Sequence, residues 1–147
     1  MSSPANILVI CTDNKMQSPM AEAVLRTKLP HTRVSSAGLM ALAGEAAYPL
    51  AVTAMEQCGI DIRKHRARLL DSEILSEADL VFVMKNAQKS KLEAKYRGVR
   101  GRVFRLGEWD GFDIDDPTEM NREAFEQMRK LIEQACTSWV HTFTPLR

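Results

Sequence analysis

The fold of this chain is decided by residues 6–23, which read NILVICTDNKMQSPMAEA. Ile7 to Ile10 predict a short buried strand because the run is apolar and rich in β-branched residues, and Cys11 closes it. Asn14 tolerates a left-handed turn, and Ser18-Pro19 is typical of a helix N-cap followed by the first helical residue. The pattern therefore predicts a strand, a tight loop and a helix in immediate succession.

A loop in this position predicts an anion-binding site with a thiol at its edge. Its backbone N–H groups turn inward, and it lies at the positive end of a helix dipole. An isolated cysteine at a strand end is more often a small buried hydrophobic residue. The strand–loop–helix context favours the other interpretation, in which the pKa of the Cys11 thiol is lowered and the thiolate is a nucleophile. We therefore expect Cys11 to be the most reactive cysteine of the chain.

The composition of the chain is that of a single-domain globular protein. It has 147 residues, of which 45% are hydrophobic and 27% charged, so we expect one domain over residues 1–147. A net charge of +1 gives no electrostatic case for binding nucleic acid or an anionic membrane. The N-terminus has no basic-then-apolar signal pattern, and no run reaches transmembrane length. Cytoplasm is therefore the expected compartment.

The cysteines argue against a disulfide framework and against a metal site. Cys11, Cys58 and Cys136 are widely spaced and odd in number. The chain has no C-x-x-C pair and no histidine cluster of the kind that binds zinc. We expect neither a metal nor any other cofactor.

The rest of the chain alternates predicted strands with predicted helices. The predicted strands are residues 7–10, 32–36, 79–84 and 101–106. The predicted helices are residues 19–29, 49–57, 86–96 and 122–143, with a short helix or turn over 70–78. This alternation predicts an α/β fold, a three-layer sandwich in which a four-stranded parallel sheet carries helices on both faces.

The last predicted helix has an apolar stripe that we expect to face the core. Seven residues at helical spacing form this stripe: Phe125, Met128, Leu131, Ile132, Ala135, Trp139 and Phe143. The aromatic members are interpreted as core residues rather than as a ligand site, because aromatic side chains at this spacing fill interiors.

Ligands of parallel sheets bind beyond the carboxyl ends of the strands, where Cys11 lies. A thiolate that attacks phosphorus needs donors around the phosphoryl oxygens, a cation, and an acid that protonates the leaving oxygen. Asp115-Asp116-Pro117 follows the fourth predicted strand at another carboxyl end, and Pro117 forces an extended residue before it. Asp-Pro alone is an ordinary acidic helix start, so Asp116 becomes a candidate acid only together with Cys11.

Short motifs spread over nearly the whole chain form a recognisable set. They are ILVIC (7–11), Asn14, SPMAE (18–22), SSAG (35–38), HRAR (65–68), DLV (79–81) and Asp116-Pro117. In this order and spacing they resemble the low-molecular-weight protein tyrosine phosphatases. GEWD (107–110) resembles the bacterial branch that accompanies tyrosine kinases of capsule and exopolysaccharide export.

The resemblance implies a cysteine-phosphoenzyme mechanism on phosphotyrosine proteins. Cys11 would be the nucleophile, Asp116 the general acid and later the base for water, and Ser18 would assist the thiolate. Asn14 and Ser36 would brace a phosphate-binding loop, whose members would be Thr12, Asp13, Asn14, Lys15, Met16 and Gln17. The implied partner is a phosphotyrosine protein such as the tail of a bacterial tyrosine kinase, and the chain itself is expected to be a monomer or a weak dimer.

The loop departs from the family pattern Cys-x5-Arg-Ser/Thr at several positions. Gln17 stands at the arginine position, and losing a charged transition-state clamp costs about 10³-fold or more in rate. Asp13 stands where glycine is usual, and like charges about 5 Å apart repel by several kcal/mol at an intermediate dielectric. Met16 replaces a frequent second cysteine, which removes a possible disulfide partner of Cys11. Lys15 adds a cation on a flexible stem, without the fork of a guanidinium.

Three functions follow from this pattern. The first is a phosphotyrosine phosphatase whose turnover is weak or impaired. The second is a catalytically inactive relative that binds a phosphoprotein or another partner and regulates exopolysaccharide or biofilm production. The third is arsenate reduction, which needs resolving cysteines after the third strand, and residues 79–95 contain none. Gln17 could also be a laboratory substitution of the arginine, made to trap a substrate. The departures at Asp13, Lys15 and Met16 argue against a single substitution of that kind.

Overall fold

The computed structural model describes residues 1–143, so residues 144–147 of the expected domain lie outside the described residues. The strands are β1 (Asn6–Cys11), β2 (Arg33–Gly38), β3 (Leu80–Val83) and β4 (Val103–Arg105). The helices are α1 (Gln17–Lys28), α2 (Pro49–Glu56), α3 (Ser72–Ser76), α4 (Asn86–Lys95) and α5 (Arg122–Thr142), with a 3₁₀ turn at Arg97–Val99. These elements follow the predicted order, and each boundary lies within two residues of the predicted one.

The four strands form one parallel sheet in the order β2-β1-β3-β4. In the middle of the sheet, Ile7 of β1 pairs with Val34 of β2 and with Leu80 of β3, and Cys11 pairs with Gly38. The chain goes from β1 to one side of the sheet and later returns to the other side, so a topological switch point lies between β1 and β3. The predicted α/β fold with a four-stranded parallel sheet is confirmed.

Apolar side chains alternate between the two faces of this sheet. On β1, Ile7 and Val9 belong to one core cluster, whereas Leu8 and Ile10 belong to the other. Helix α5 contacts both α1 and α2 over the first face. Helix α4 covers the second face with Leu92. The result is the three-layer arrangement that the alternation of strands and helices predicts.

Helix α5 fills the first face with the indole of Trp139. This ring is fully buried, its Nε1 donates to the carbonyl oxygen of Leu106 at 2.8 Å, and its centroid lies 4.7 Å from that of Phe82. Six of the seven residues in the predicted stripe are buried, and the exception is Leu131, which is 41% exposed. That prediction was wrong because the buried stripe is narrower than the apolar sequence, and Ile132 takes the inward position.

Helix α1 begins two residues earlier than the sequence pattern predicts. Its N-cap is Met16 and its first residue is Gln17, so the prediction of Ser18 as N-cap and Pro19 as first helical residue was wrong. Pro19 is tolerated at the third helical position, because the first N–H groups of a helix have no intrahelical acceptor. The earlier start turns the hydroxyl of Ser18 toward the sulfur of Cys11 instead of toward the helix backbone.

Three properties bear on membranes, metals and redox chemistry. Within residues 1–143, no helix has the length and apolar character needed to cross a bilayer. The same part of the chain contains no group of three or more His, Cys, Asp or Glu side chains placed to hold a metal ion. All three cysteines are free thiols, with Cys58 exposed and Cys11 and Cys136 buried.

Candidate active site

Cys11 lies at the carboxyl end of β1, and the loop that follows rests directly on the end of β2. The carbonyl oxygens of Cys11 and Thr12 accept the N–H groups of Leu39 and Met40, at 3.0 and 2.8 Å. A Cβ atom on Gly38 would lie 2.7 Å from the carbonyl oxygen of Thr12, closer than real Cβ contacts allow. Glycine is therefore required at position 38 for the loop to approach the strand this closely.

Asn14 is the structural centre of the loop, and it is fully buried with a φ of 59°. Its Nδ2 donates to Ser18 Oγ and to Ser36 Oγ, both at 2.9 Å. Its Oδ1 accepts the backbone N–H of Arg68 at 3.0 Å, and its carbonyl oxygen lies 2.6 Å from His65 Nε2. The left-handed turn predicted at Asn14 is confirmed, and this one residue ties the loop to α1, to β2 and to the segment after α2.

The hydroxyl of Ser18 faces the sulfur of Cys11, at an Oγ–Sγ distance of 2.8 Å. Ser18 Oγ already accepts a hydrogen bond from Asn14, so its own proton is directed elsewhere. Because a thiolate has no proton to give, Ser18 is the donor whenever the sulfur is ionised. The hydroxyl of Ser36 is oriented differently, since it donates to Glu22 Oε1 at 2.6 Å.

The pKa of the Cys11 thiol is raised, which is opposite to the lowered value predicted from the sequence. Burial is the main cause, since the residue is 1% exposed and desolvation disfavours the anion. Hydrogen bonds from Ser18 and from the backbone N–H of Asn14 lower the pKa, while the charge of Asp13 raises it further. That prediction was wrong because the sequence pattern indicates donors around the sulfur but not how deeply the sulfur is buried.

Asp13 places a carboxylate inside the loop. Its Oδ1 accepts the backbone N–H of Lys15 at 3.0 Å and lies 3.9 Å from the sulfur of Cys11. One backbone donor of the loop is therefore satisfied by a negatively charged side chain of the loop itself. A phosphoryl group that approached the sulfur would meet this occupied donor and a like charge together.

The side chain of Gln17 joins the loop to residues 113–116, which we call the acidic segment and which include Asp116. Gln17 is 3% exposed, and its Nε2 donates to the carbonyl oxygens of Ile114 and Asp115, at 3.3 and 3.0 Å. The amide nitrogen of Gln17 is thus directed toward these two carbonyl oxygens, and the side chain has no charge with which to attract an anion in the loop. The same contact holds the acidic segment against the end of the loop.

Asp116 is exposed at the edge of this junction. Its side chain is 66% exposed, and its Oδ2 lies 3.6 Å from Lys85 Nζ. The N–H of Ile114 donates to the carbonyl oxygen of Met84 at 2.9 Å, just beyond β3. The acidic segment is therefore attached on both sides of the switch point, to the loop after β1 through Gln17 and to the end of β3 through Met84.

Lys15 and Met16 do not supply a charge to the centre of the loop. Lys15 Nζ lies 3.0 Å from Glu45 Oε2 and 4.4 Å from the centroid of the Tyr48 ring. The pKa of Lys15 is raised, chiefly by its hydrogen bond with Glu45. Met16 packs against the apolar core. The cation of Lys15 is thus committed to a surface ion pair and does not replace the guanidinium that the family pattern implies.

Several residues that hold the site received no role from the sequence. His65 and Arg68 both contact Asn14, and they lie in the HRAR motif, which was a signal without an assigned function. The sequence around Gln88 and Lys85 contains no motif that indicates a role in the site, because isolated polar residues at a helix start are common. Gln88 Oε1 accepts the N–H of Lys85 at 3.1 Å, while its Nε2 lies 3.5 Å from Thr12 Oγ1.

Comparisons with known proteins agree with this arrangement. The family model described as low molecular weight phosphotyrosine protein phosphatase matches residues 6–145. The probable low molecular weight protein-tyrosine-phosphatase EpsP of Ralstonia solanacearum is 47% identical over 134 residues, which are 91% of this chain and 92% of the relative. The low molecular weight protein-tyrosine-phosphatase Wzb of Escherichia coli K12 is 33% identical over 135 residues, again 91% and 92% of the two chains.

Solved structures show the same architecture. The tyrosine phosphatase Wzb from Escherichia coli K30, in complex with sulphate, superposes with a TM-score of 0.90 at 33% identity, over 95% of this chain and 99% of that chain. The Erwinia amylovora tyrosine phosphatase amsI gives a TM-score of 0.92 at 30% identity, over 97% and 95%. The chain belongs to the low molecular weight phosphotyrosine protein phosphatase family, in the branch that contains EpsP and Wzb.

Proposed function

We propose that this chain hydrolyses phosphotyrosine in proteins through a cysteine-phosphoenzyme intermediate, with weakened turnover. Family membership supports the reaction class, and the place of Cys11 beside the switch point supports the site. We infer the weakened turnover mainly from Gln17. Its neutral amide donates to the carbonyl oxygens of Ile114 and Asp115 instead of facing the loop with a positive charge.

In the first step, the Cys11 thiolate attacks the phosphorus atom of phosphotyrosine. A sulfur–phosphorus bond forms while the bond between phosphorus and the phenolic oxygen breaks. Asp116, entering the step protonated, transfers its proton to the phenolic oxygen, so that tyrosine leaves as a neutral alcohol. The exposure of Asp116 supports this role, because an acid on the open side of the site can reach a substrate that is still attached to a protein.

In the second step, water attacks the phosphorus of the phosphocysteine. The Asp116 carboxylate takes a proton from this water, the sulfur–phosphorus bond breaks, and inorganic phosphate is released. Cys11 leaves as a thiolate that accepts a hydrogen bond from the hydroxyl of Ser18, 2.8 Å away. Asn14 supports the step by holding Ser18 in place at 2.9 Å, and Ser36 holds Asn14 from the other side.

The weakened turnover follows from the charges around the sulfur. Without a guanidinium at position 17, the charge that develops on the phosphoryl oxygens loses a stabiliser that typically contributes about 10³-fold or more in rate. The carboxylate of Asp13, 3.9 Å from the sulfur of Cys11, opposes the same charge. The raised pKa of Cys11 adds a third effect, because only the ionised fraction of the thiol attacks phosphorus.

The proposed substrate is a phosphotyrosine protein of the cytoplasm, such as the tail of a bacterial tyrosine kinase in an exopolysaccharide export system. The similarity to EpsP and Wzb supports this class of substrate. The reaction as written needs no metal or organic cofactor, since the loop, Cys11 and Asp116 provide the donors, nucleophile and acid. We propose a monomer or a weak dimer as the working unit.

A turnover assay with a phosphotyrosine peptide tests the proposal, with Cys11→Ser as the matched control. We expect slow release of phosphate by the unmodified protein and none above background by the variant. A turnover rate near the usual enzyme median of about 10 s⁻¹ would refute the weakened chemistry. Equal rates for the protein and for Cys11→Ser would refute the assignment of Cys11 as nucleophile.

A second candidate function is that of an inactive phosphatase relative that only binds a phosphoprotein and so regulates exopolysaccharide or biofilm production. The burial of the Cys11 sulfur and the carboxylate of Asp13, 3.9 Å from it, favour this candidate, because both disfavour the thiolate that attacks phosphorus. This candidate predicts saturable binding of the phosphotyrosine peptide with no phosphate released. The bond network of Asn14 is expected to keep the loop folded in either case.

A further inference from the structure

A groove of about 440 Å³ leaves the active site along helix α4. It begins at Thr12, the residue after Cys11, and continues between the segment after β2 and one face of α4 to Tyr96. We call it the lysine groove, because its lining residues include Lys85, Lys91 and Lys95. Lys91, Lys95 and the apolar residues of this surface take no part in the proposed mechanism.

The floor of the lysine groove is apolar. Leu39, Leu92 and Tyr96 line it and belong to, or pack against, the core cluster on this face of the sheet. Met40 stands at its edge with 75% of its surface exposed. An exposed methionine beside an apolar floor is a surface that an apolar or aromatic side chain of a partner can cover.

The rim of the lysine groove carries positive charge that is largely unpaired. Its lining contains three lysines and no carboxylate among residues 1–143. Lys85 lies 3.6 Å from Asp116, but neither Lys91 nor Lys95 forms an ion pair within the described part of the chain. In a protein with a net charge of +1, this is a local concentration of charge, not a general basic surface.

The geometry of α4 aligns the groups of the groove in pairs. Lys91 and Lys95 are four residues apart, as are Leu92 and Tyr96, so each pair lies on the same face of the helix. Lys85 and Lys95 are ten residues apart, which corresponds to about 15 Å along a helix. An extended peptide covers that distance with about four to five residues.

We propose that the lysine groove binds an extended, acidic peptide segment that contains an apolar or aromatic side chain. Carboxylates of the segment pair with Lys91 and Lys95, while its apolar side chain covers Met40 and the floor. Because the groove begins at Thr12 and Lys85, beside the active site, the segment is the one that flanks the phosphotyrosine of the substrate. This last assignment rests on the proposed function, whereas the binding of an acidic segment does not.

Fluorescence anisotropy with labelled peptides tests the proposal. The probe is a short peptide that contains phosphotyrosine, a phenylalanine and several glutamates, and the comparison peptide has every Glu replaced by Gln. We expect the double variant Lys91→Glu/Lys95→Glu to bind the acidic peptide about tenfold more weakly, since two attractive contacts become repulsive. We expect little effect of that variant on the glutamine peptide.

The matched control reverses two exposed lysines outside the groove, Lys64→Glu/Lys130→Glu, which changes the net charge by the same amount. We expect less than about twofold weakening, because distant charges are screened at physiological ionic strength. Equal weakening by both double variants would overturn the proposal, as would equal affinity of the unmodified protein for the acidic and glutamine peptides. Lysine-dependent binding to vesicles that contain phosphatidylserine, without binding to the acidic peptide, would assign the groove to a lipid surface and overturn it too.

An unphosphorylated acidic peptide separates the groove from the active site. If it binds with the same dependence on Lys91 and Lys95, and phosphorylation adds affinity, both the groove and the proposed function are supported. If phosphorylation adds nothing but the lysine dependence remains, the groove is supported and the phosphotyrosine assignment fails. If neither peptide binding nor lysine dependence is seen, the groove proposal fails regardless of the turnover that the assay with Cys11→Ser shows.

Discussion

Two side chains, Asp13 and Gln17, set the charge around the sulfur of Cys11. Each is held by hydrogen bonds to the backbone, Asp13 to the N–H of Lys15 and Gln17 to the carbonyl oxygen of Asp115. The carboxylate of Asp13 uses a donor that an anion would otherwise find free, and the amide nitrogen of Gln17 donates to the carbonyl oxygens of Ile114 and Asp115. Replacing either side chain with one of different charge therefore also changes the hydrogen bonds that it makes to the backbone.

Replacing Gln17 by arginine alone is expected to restore little activity. The Asp13 carboxylate still opposes a phosphoryl group, and the new guanidinium can instead bind the carbonyl oxygens that Gln17 now uses. The double variant Gln17→Arg/Asp13→Gly removes the repulsion, and we expect it to raise kcat/KM on p-nitrophenyl phosphate by at least about tenfold over the single variant. Equal kcat/KM for the single and double variants would contradict the role of Asp13.

Burial of Cys11 reverses the order of cysteine reactivity expected from the sequence, so alkylation by iodoacetamide is expected to modify Cys58 before Cys11 and Cys136 at neutral pH. Cys58 is exposed, whereas burial raises the pKa of both Cys11 and Cys136. A raised thiol pKa means that the thiolate forms only as the pH increases, so the labelling of Cys11 should accelerate from neutral to alkaline pH. Peptide mapping by mass spectrometry at several pH values measures the order.

The variant Asp13→Asn checks the cause of this order. It removes a charge that raises the pKa of Cys11 but keeps an oxygen that can accept the N–H of Lys15. We expect faster labelling of Cys11 at a given pH, with a limited effect because burial remains the larger cause. Asp61→Asn, on an exposed side chain without a contact to Cys11, is the control. Unchanged labelling in Asp13→Asn would show that this carboxylate does not influence the thiol.

At the scale of elements, the site depends on how the loop after β1 rests on the end of β2. The close approach at Gly38 and the bonds of Asn14 fix the loop from two sides. The sequence predicted the strands, their order along the chain and the left-handed turn, because these follow from local patterns. It could not predict the start of α1, because Pro19 is compatible with any position in the first helical turn.

A methyl group at position 38 is expected to displace the loop. In Gly38→Ala, the added Cβ would lie 2.7 Å from the carbonyl oxygen of Thr12 and 3.0 Å from the backbone nitrogen of Asn14. We expect a loss of about 1–3 kcal/mol in the free energy of unfolding and a loss of phosphatase activity, since both atoms belong to the backbone and cannot give way cheaply. Urea denaturation and the turnover assay measure the two effects.

Gly98→Ala is the control for this substitution. A Cβ at position 98 would meet nothing within 4 Å, and the residue does not have a positive φ. Its stability and turnover are expected to stay close to those of the unmodified protein. A Gly38→Ala variant as stable and as active as Gly98→Ala would show that the contact between β2 and the loop is not required.

At the scale of the whole molecule, helix α5 closes one face of the sheet around Trp139. Trp139→Ala is expected to cost about 3–5 kcal/mol in the free energy of unfolding, because the ring is fully buried against Phe82 and donates to the carbonyl oxygen of Leu106. Leu131→Ala on the same helix should cost less than about 1 kcal/mol, because 41% of Leu131 is exposed. Similar costs for the two variants, measured by urea denaturation, would contradict the assignment of the core.

The fold could be predicted from the sequence in more detail than the site could. Strand and helix patterns are local, and the parallel sheet follows from their alternation. The state of the Cys11 thiol depends on burial, which the sequence does not show, and the partner of Gln17 lies almost one hundred residues away along the chain. The contact of Lys85 with Asp116 is likewise produced by the fold and has no local signal, whereas His65 lies in a recognised motif that did not reveal its contact with Asn14.

The affinity for inorganic phosphate tests most directly whether the loop after β1 is an anion site weakened by its own charges. Isothermal titration calorimetry would compare the unmodified protein with Gln17→Arg/Asp13→Gly. We predict that the double variant binds phosphate at least about tenfold more tightly, because a like charge is removed and a guanidinium is added. Equal dissociation constants for the two proteins would contradict this account.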